Sequence, residues 1–488
     1  MSFPAANAMQ ASTGLWQWLQ ESRASLAFTT YQSNRLLLVG RKPEGRIAVH
    51  ERVFDKPMGL YAGEDSLVMS TRHAIWQLEN RLAPGQTHAG CDRLYVPARS
   101  HTTGDLNVHD VVRDRHGETL FINTDFSCLA RLRDGYSFEP VWQPPFISAL
   151  KAEDRCHLNG LAMRAGAPAY VTACAASDDA AGWRHQRAGG GIVMHIPSNE
   201  IVAGGLSMPH SPRWYRGKLW LLNAGSGELG FLDGERFVPV AACPGFVRGL
   251  AFAGDYAVVG MSCLRASSFG GLPLAQRLAA AGQASQCGLV VIDLRSGAPV
   301  HSLLFDGGVD ELFDVVVLAG VERPSALGFQ DDGIERLISF PGSGGLLATK
   351  PTVRRPGIGA AVAAPALPRA AAACVKYQHV YHLNAANLAG YEAMTYPSLQ
   401  ARWRGQAPHG ELLGVSASVD GAMVALAVAE QAAGADGAPL RTLLSLLVLP
   451  PYRHQGIATA LLKHLHLPPP PASTAAIRPC LDTLQDTL

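Results

Sequence analysis

One unit recurs through residues 1–332 and leaves few folds open to them. It consists of a polar lead, a short apolar run, a turn and a second apolar run. The clearest copy is Arg155-Cys156-His157-Leu158-Asn159-Gly160-Leu161-Ala162-Met163, followed by Ala169-Tyr170-Val171-Thr172-Ala173-Cys174. Residues 105–112 with 119–124, 208–215 with 218–223, and 247–252 with 256–261 repeat the plan. A single strand pair cannot bury its apolar face alone, so repeated pairs must stack around shared cores. The starts fall near Met58, His109, Asn159, Pro212, Gly249 and Asp314, a mean step of about 51 residues, close to the repeat of propeller blades. The reading is an all-β six-bladed propeller-like domain. A β-sandwich does not require polar strand starts at this long spacing.

An open ring of blades would leave unpaired edges. The last block offers an inner strand at 311–318 and a further strand at 321–329. The early strands at 26–31, 35–39 and 46–53 lack an inner partner of their own. They are therefore predicted to complete the last blade, after a short amphipathic helix within 13–25 that carries Leu15, Trp16, Trp18 and Leu19.

Composition narrows the partners. The chain has 488 residues, 48% hydrophobic and 17% charged, with a formal net charge of +1. There is no dense Lys/Arg run, so neither nucleic acid nor a charged membrane surface is expected as a partner. The N-terminus lacks a basic stretch followed by an apolar core, and the apolar runs at 443–449 and 315–321 are too short to span a bilayer. A cytoplasmic protein is expected. The nine cysteines form no CxxC pair, which argues against a zinc knuckle and for small buried hydrophobes.

The texture changes after Ile338. Residues 1–338 are assigned to the propeller, 339–373 to a Gly/Ala/Pro-rich linker, 374–467 to a small α/β domain and 468–488 to a proline-containing tail. In the small domain a helix is expected at 389–402, and a hairpin joins 412–419 to 423–430 around Asp420-Gly421. An apolar strand at 442–449 leads through Arg453-His454-Gln455-Gly456-Ile457-Ala458 into a helix at 459–465.

That last segment resembles the GNAT acyltransferase family, with Arg453, Gly456 and Ala458 at the informative places of its loop. Small residues between strand and helix let backbone N–H groups approach a pyrophosphate, whose charge the helix N-terminus favours. The resemblance implies an acyl-CoA cofactor, such as acetyl-CoA, held by residues 453–458 (Arg453, His454, Gln455, Gly456, Ile457 and Ala458). It also implies transfer to an amine, for which Glu430 is the candidate base. The family fold continues beyond this helix, so the GNAT-like segment is expected to be incomplete. Residues 13–332 resemble an uncharacterised bacterial family described as conserved hypothetical, through Phe28–Asn34, Asn107–Asp110, His157–Gly160, Met208–Arg213, Leu222–Glu228 and Pro324–Phe329. That resemblance brings no function with it.

Inner strands of a propeller start around one end of a central channel, so their polar starts can converge. His109, Asp110, His157 and His210 are the candidate acid/base set, and His101, Asp105, Asn159, Arg213, Arg248 and Asp314 the candidate ligand contacts. The imidazoles and carboxylates suit a divalent metal, and the arginines a carboxylate or phosphate. Asn and Asp at strand starts also cap turns, which is the competing role. Asn223 and Glu228, also candidate ligand contacts, form a separate cluster around Gly225 and Gly227, and Asn123 is expected to share an architectural job with Asn223. Three readings stay open: an N-acyltransferase whose propeller selects substrate or partner, an enzyme with its site in the channel, and a non-catalytic propeller binding a small molecule or peptide. Placing Leu158, Leu161 and Met163 in the core while His157 and Asn159 reach the channel breaks strand alternation, so a turn or bulge is predicted near Gly160.

Overall fold

The computed structural model describes residues 9–264, 271–329, 333–349 and, between 375 and 467, residues 375–380, 383–384, 388, 390–395, 397–405, 411–419, 422–433, 439–449, 452 and 456–467. Two compact units divide the chain, Met1–Val353 and Arg354–Leu488.

The first unit is a ring of six antiparallel blades. Their inner strands are Leu60–Ala62, Val108–Arg113, Leu158–Arg164, Pro209–Tyr215, Phe246–Ala253 and Val315–Ala319. Each inner strand touches the next, and the last touches the first. Blades one to five run outward in chain order. The sixth is closed as the unpaired early strands require. Ala24–Thr30 pairs with Val315–Ala319, with Phe28 opposite Val315 and Ala24 opposite Ala319, and Arg35–Arg41 and Ile47–Val53 follow outward.

One part of that expectation is corrected. The second strand of the last block does not stay in its blade. Pro324–Ala326 leaves to pair in parallel with Arg93–Tyr95 on the outer strand of the first blade. The chain thus ties the sixth blade to the first twice. Met9–Ala11 caps the outer edge of the fifth blade as an antiparallel strand opposite Leu303–Phe305.

The core is a set of wedges between blades. Val112, Leu120 and Ile122 of the second blade meet Leu158, Leu161 and Val171 of the third. Trp220, Leu222 and Leu229 of the fourth meet Val247, Leu250 and Val259 of the fifth. Strand alternation explains the arrangement, because both faces of each blade are buried against neighbours. Helix Leu15–Glu21 drives Leu15, Trp18 and Leu19 into the wedge between the fifth and sixth blades. Helix Pro273–Ala280, inside a loop of the fifth blade, packs Leu274 and Leu278 into the wedge with the fourth. Residues 337–349 were expected to lie mostly in the linker. Leu337–Ile338 instead pairs with Leu347–Ala348, and the Gln86 amide bonds both Leu346 N (3.0 Å) and Leu346 O (2.8 Å).

The second unit is a four-stranded antiparallel sheet of Lys376–Val380, Glu411–Val419, Ala422–Ala433 and Pro439–Val448. Its central strand sorts its side chains by parity. Ala425, Ala427 and Ala429 face Ile457, Leu461 and Leu465 at helix Ile457–His464, and the small alanines let that helix sit close. Leu426 and Val428 face Leu399 and Trp403 of helix Pro397–Trp403. The predicted turn Asp420-Gly421 lies outside the described residues.

Candidate functional sites

The channel of the propeller is organised by a backbone device repeated in three blades. Asn107, His157 and Met208 precede their inner strands with left-handed backbones, φ 51°, 51° and 47°. Two residues later come His109, Asn159 and His210. Each folds its side chain back onto the carbonyl of the left-handed residue, at 2.8, 3.5 and 2.7 Å. The pairing register then shifts between Leu158 and Gly160 and between His210 and Arg213, which is the predicted bulge at Gly160. Gly160 itself has no room for a Cβ, which would collide with the Pro212 ring of the next blade.

This device separates the three histidines. His109 and His210 are equivalent to Asn159, whereas His157 is equivalent to Asn107 and Met208. His157 therefore leaves the ring. Its Nδ1 lies 3.0 Å from both Asp154 carboxylate oxygens, and its ring stacks on Trp183 at 4.1 Å, whose indole N–H also donates to Asp154 at 2.9 Å. Its edge meets His109 at a centroid distance of 4.8 Å. Asp154 and Trp183 were not among the sequence candidates, because nothing in their local pattern links them to His157.

The hydrogen bonds fix the tautomers. A carbonyl can only accept, so His210 Nδ1 donates to Met208 O and its Nε2 carries a lone pair. His109 Nδ1 lies 2.8 Å from Asn107 O and 2.8 Å from the Thr124 hydroxyl, whose proton goes to Leu158 O at 2.6 Å. Its Nε2 is therefore also an acceptor. Burial holds both imidazoles well below their usual range, and for both the Arg248 charge acts in the same direction. His210 is only 2% exposed, and its Nε2 has no hydrogen-bond partner among the described residues.

The carboxylates and one arginine of the ring are architectural. Asp110 accepts from Leu161 N of the next blade at 3.0 Å and from Arg213 at 2.8 Å. Asp314 accepts from Leu60 N of the next blade at 3.0 Å and from Val315 N at 2.9 Å, and lies 3.7 Å from Arg213. Ser211 does the same for Gly249 N at 3.0 Å. These three side chains each pin one blade to its successor. Against the pull of desolvation, Asp110 and Asp314 hold the Arg213 guanidinium above its usual range. Burial pushes Asp314 up to about 7, with Arg213 opposing and Asp110 adding to the rise. Arg248 lies over the Phe313 ring at 4.8 Å. His109, Asn159, His210, Arg248, Asp110 and Asp314 are among the groups that line a small space of about 10 Å³, room for about one water molecule.

Other candidates lie elsewhere or serve the fold. His101 sits on the outer strand of the first blade and bonds Tyr136 O at 2.9 Å, so it is not a channel residue. Asp105 is half exposed and lies 3.6 Å from Lys56. Asn223 accepts from Ser207 N at 2.8 Å and donates to Glu228 at 3.4 Å, closing its own hairpin. Asn123 instead accepts from Phe126 N at 3.1 Å, so the two asparagines cap equivalent hairpins through different donors. The expected divalent metal is not supported: among the described residues no group of three His, Cys, Asp or Glu could hold one. The reason is the backbone device, which gives His157 a separate partner in Asp154, while Asp110 and Asp314 are spent on N–H groups and Arg213.

In the second unit, Gly456 caps helix Ile457–His464 with φ 78°, no side-chain cap and no acidic residue in the first turn. A Cβ at Gly456 would meet nothing within 4 Å. Ile457 is buried against the sheet, and Ala458 follows it in the first turn. Arg453, His454 and Gln455 lie outside the described residues. Glu430 pairs with Arg402 at 2.7 Å, which occupies the carboxylate proposed as a base.

Residues 13–327 match the family described as Domain of unknown function (DUF4915). The chain belongs to this family. Residues 390–466 of this DUF4915 member match the acetyltransferase (GNAT) family. No curated protein matches the chain. A structure of a nidogen/laminin complex is 10% identical over 61% of this chain and 99% of its own, with a TM-score of 0.40. Virginiamycin B lyase from Staphylococcus aureus is 10% identical over 61% of this chain and 99% of its own, with a TM-score of 0.30. The aminoglycoside N-acetyltransferase AAC(6')-Iy in complex with CoA is 20% identical over 23% of this chain and 86% of its own, with a TM-score of 0.17. No helix among the described residues is long and apolar enough to cross a membrane.

Proposed function

We propose that the GNAT unit binds an acyl-CoA and transfers its acyl group to an amine. The observation that carries this reading is the helix start at Gly456, within residues that match the acetyltransferase family. The left-handed glycine turns the chain without a side chain, and among the described residues no side chain caps the first turn from the N-cap position. Such a start favours an anionic group, and a CoA pyrophosphate has the matching charge. In the reaction the amine nitrogen bonds the thioester carbonyl, the C–S bond breaks, and the nitrogen's proton is passed on as the thiolate leaves. Glu430 does not serve as that base while it holds Arg402. The propeller contributes binding rather than chemistry in this reading, because both ring carboxylates are committed to backbone N–H groups and Arg213.

The test is calorimetric titration of the full chain with acetyl-CoA, wild type against Gly456→Asp. Aspartate tolerates a left-handed backbone better than most residues, so the change chiefly adds a negative charge where the pyrophosphate would sit. Binding by the wild type and a loss of about tenfold or more in the variant is the expected result. Equal affinities, or no binding by the wild type, would remove the proposal.

A further inference from the structure

The wedge between the third and fourth blades opens into a groove of about 690 Å³ near the ends of their inner strands. That size lies within the about 300–1,000 Å³ of small-molecule sites. Its floor is apolar, with Leu219 buried and Val202 and Leu232 half-buried in one cluster. Tyr170 and Trp214 form an aromatic wall, their rings within 9° of parallel and their centroids 6.0 Å apart. The rim carries Glu200 and Glu235. Tyr170 pairs opposite His195, and His195 opposite Glu200, so the Glu200 side chain shares the face of the aromatic wall. One of its oxygens accepts from the Ser198 hydroxyl at 2.9 Å. Glu235 is exposed in the turn between Glu228–Asp233 and Arg236–Ala242. Lys218 borders the groove too, but alternation turns its side chain to the other face of the blade, where the ammonium lies 3.7 Å from the centroid of the Phe231 ring. Arg164 lies over Trp214 at 4.3 Å and offsets part of the rim charge. Two carboxylates against one guanidinium leave the rim net negative.

We propose that this groove binds an organic ammonium compound with a flat apolar body, the body against Tyr170 and Trp214 and the ammonium at Glu200 and Glu235. The floor and wall remove the body from water, and the aromatic faces add an attraction for the positive end. An uncharged compound of the same shape gains the apolar contact alone. A carboxylate on that body would meet two like charges. The inference goes beyond acyl transfer and does not rest on it.

Tryptamine, tryptophol and indolepropionate place a positive, a neutral and a negative end on one indole body. Saturation-transfer NMR on the full chain without acyl-CoA, followed by calorimetric titration, gives the three affinities. The proteins compared are the wild type, Trp214→Leu and the double variant Glu200→Gln, Glu235→Gln. The wild type should bind tryptamine about two- to tenfold more tightly than tryptophol, and indolepropionate least. Both glutamates are exposed and glutamine matches their size, so the double variant is expected to fold. It should bring tryptamine down to the affinity of tryptophol and leave tryptophol unchanged. Trp214→Leu should weaken tryptamine and tryptophol alike, because it removes the wall and not the charge. No saturation transfer from tryptamine, indolepropionate binding as tightly, or a double variant that keeps the full preference for tryptamine would each overturn the assignment. None of these outcomes bears on acyl transfer, which the acetyl-CoA titration reads separately.

Discussion

His109 and His210 are neutral because they are buried, and that has a consequence for pH. Both have folded-state values below the unfolded 6.5. The unfolded chain therefore binds more protons as pH falls through 6.5, and stability is lost on the acid side. Asp314 works in the opposite sense. Its value rises from 3.8 to about 7 on folding, so the native state takes up a proton between those values and gains stability as pH falls through them. The two histidines and the aspartate partly cancel. Replacing His109 by Asn, the residue at the equivalent Asn159, should remove about 1 kcal/mol of the loss between pH 6.5 and 5.5. Urea midpoints of wild type and variant at the two pH values measure this directly. An unchanged acid loss would mean that His109 titrates alike in the native and unfolded states.

The strands add a second periodic device that the apolar pattern hides. In four blades a hydroxyl at the end of the second strand donates to a carbonyl at the start of the next inner strand. Thr29 reaches Met58 O at 2.5 Å, Ser70 reaches Val108 O at 3.1 Å, Thr124 reaches Leu158 O at 2.6 Å and Ser262 reaches Leu312 O at 3.2 Å. Each latch ties the start of one inner strand to the blade before it. Thr124→Val keeps the shape and deletes the donor to the buried Leu158 carbonyl. It should cost about 1–3 kcal/mol in denaturant unfolding, and Thr124→Ser should recover most of it. Equal losses in the two variants would point to the methyl group and not to the hydrogen bond. The sequence marks these positions only as Ser or Thr after an apolar run, a pattern shared by many ordinary turns.

Ring closure makes the propeller depend on its two ends. Ala24–Thr30 is buried along its whole length and, among the described residues, is the only ladder partner of Val315–Ala319. Removing residues 1–54 would strip the sixth blade to a single strand and expose the wedges on both sides, a loss larger than the about 5–15 kcal/mol that holds a typical domain together. That truncation should give no cooperative thermal transition. Removing residues 1–12 deletes only the edge strand Met9–Ala11 and should leave a folded protein with a modestly lower Tm. Calorimetry of both truncations distinguishes them. A cooperative transition in the longer deletion would show that the ring tolerates an open blade.

The apolar spacing alone located all six blade starts, and the surplus of early strands required the closure of the last one. Both follow from local alternation and from the need to pair every edge. A helix after Gly456 was likewise legible, since small residues before a helix form a local pattern. The convergence of polar groups was not. Asp110 and Asp314 lie in different blades and share Arg213 from a third, a meeting that only the closed ring creates. The three histidines looked alike in sequence, yet the left-handed backbone at His157 turned that ring towards Asp154 and Trp183. Strand periodicity determines which face a side chain takes within its own blade. Which partner waits across the channel depends on how six blades close, and that is a property of the folded ring.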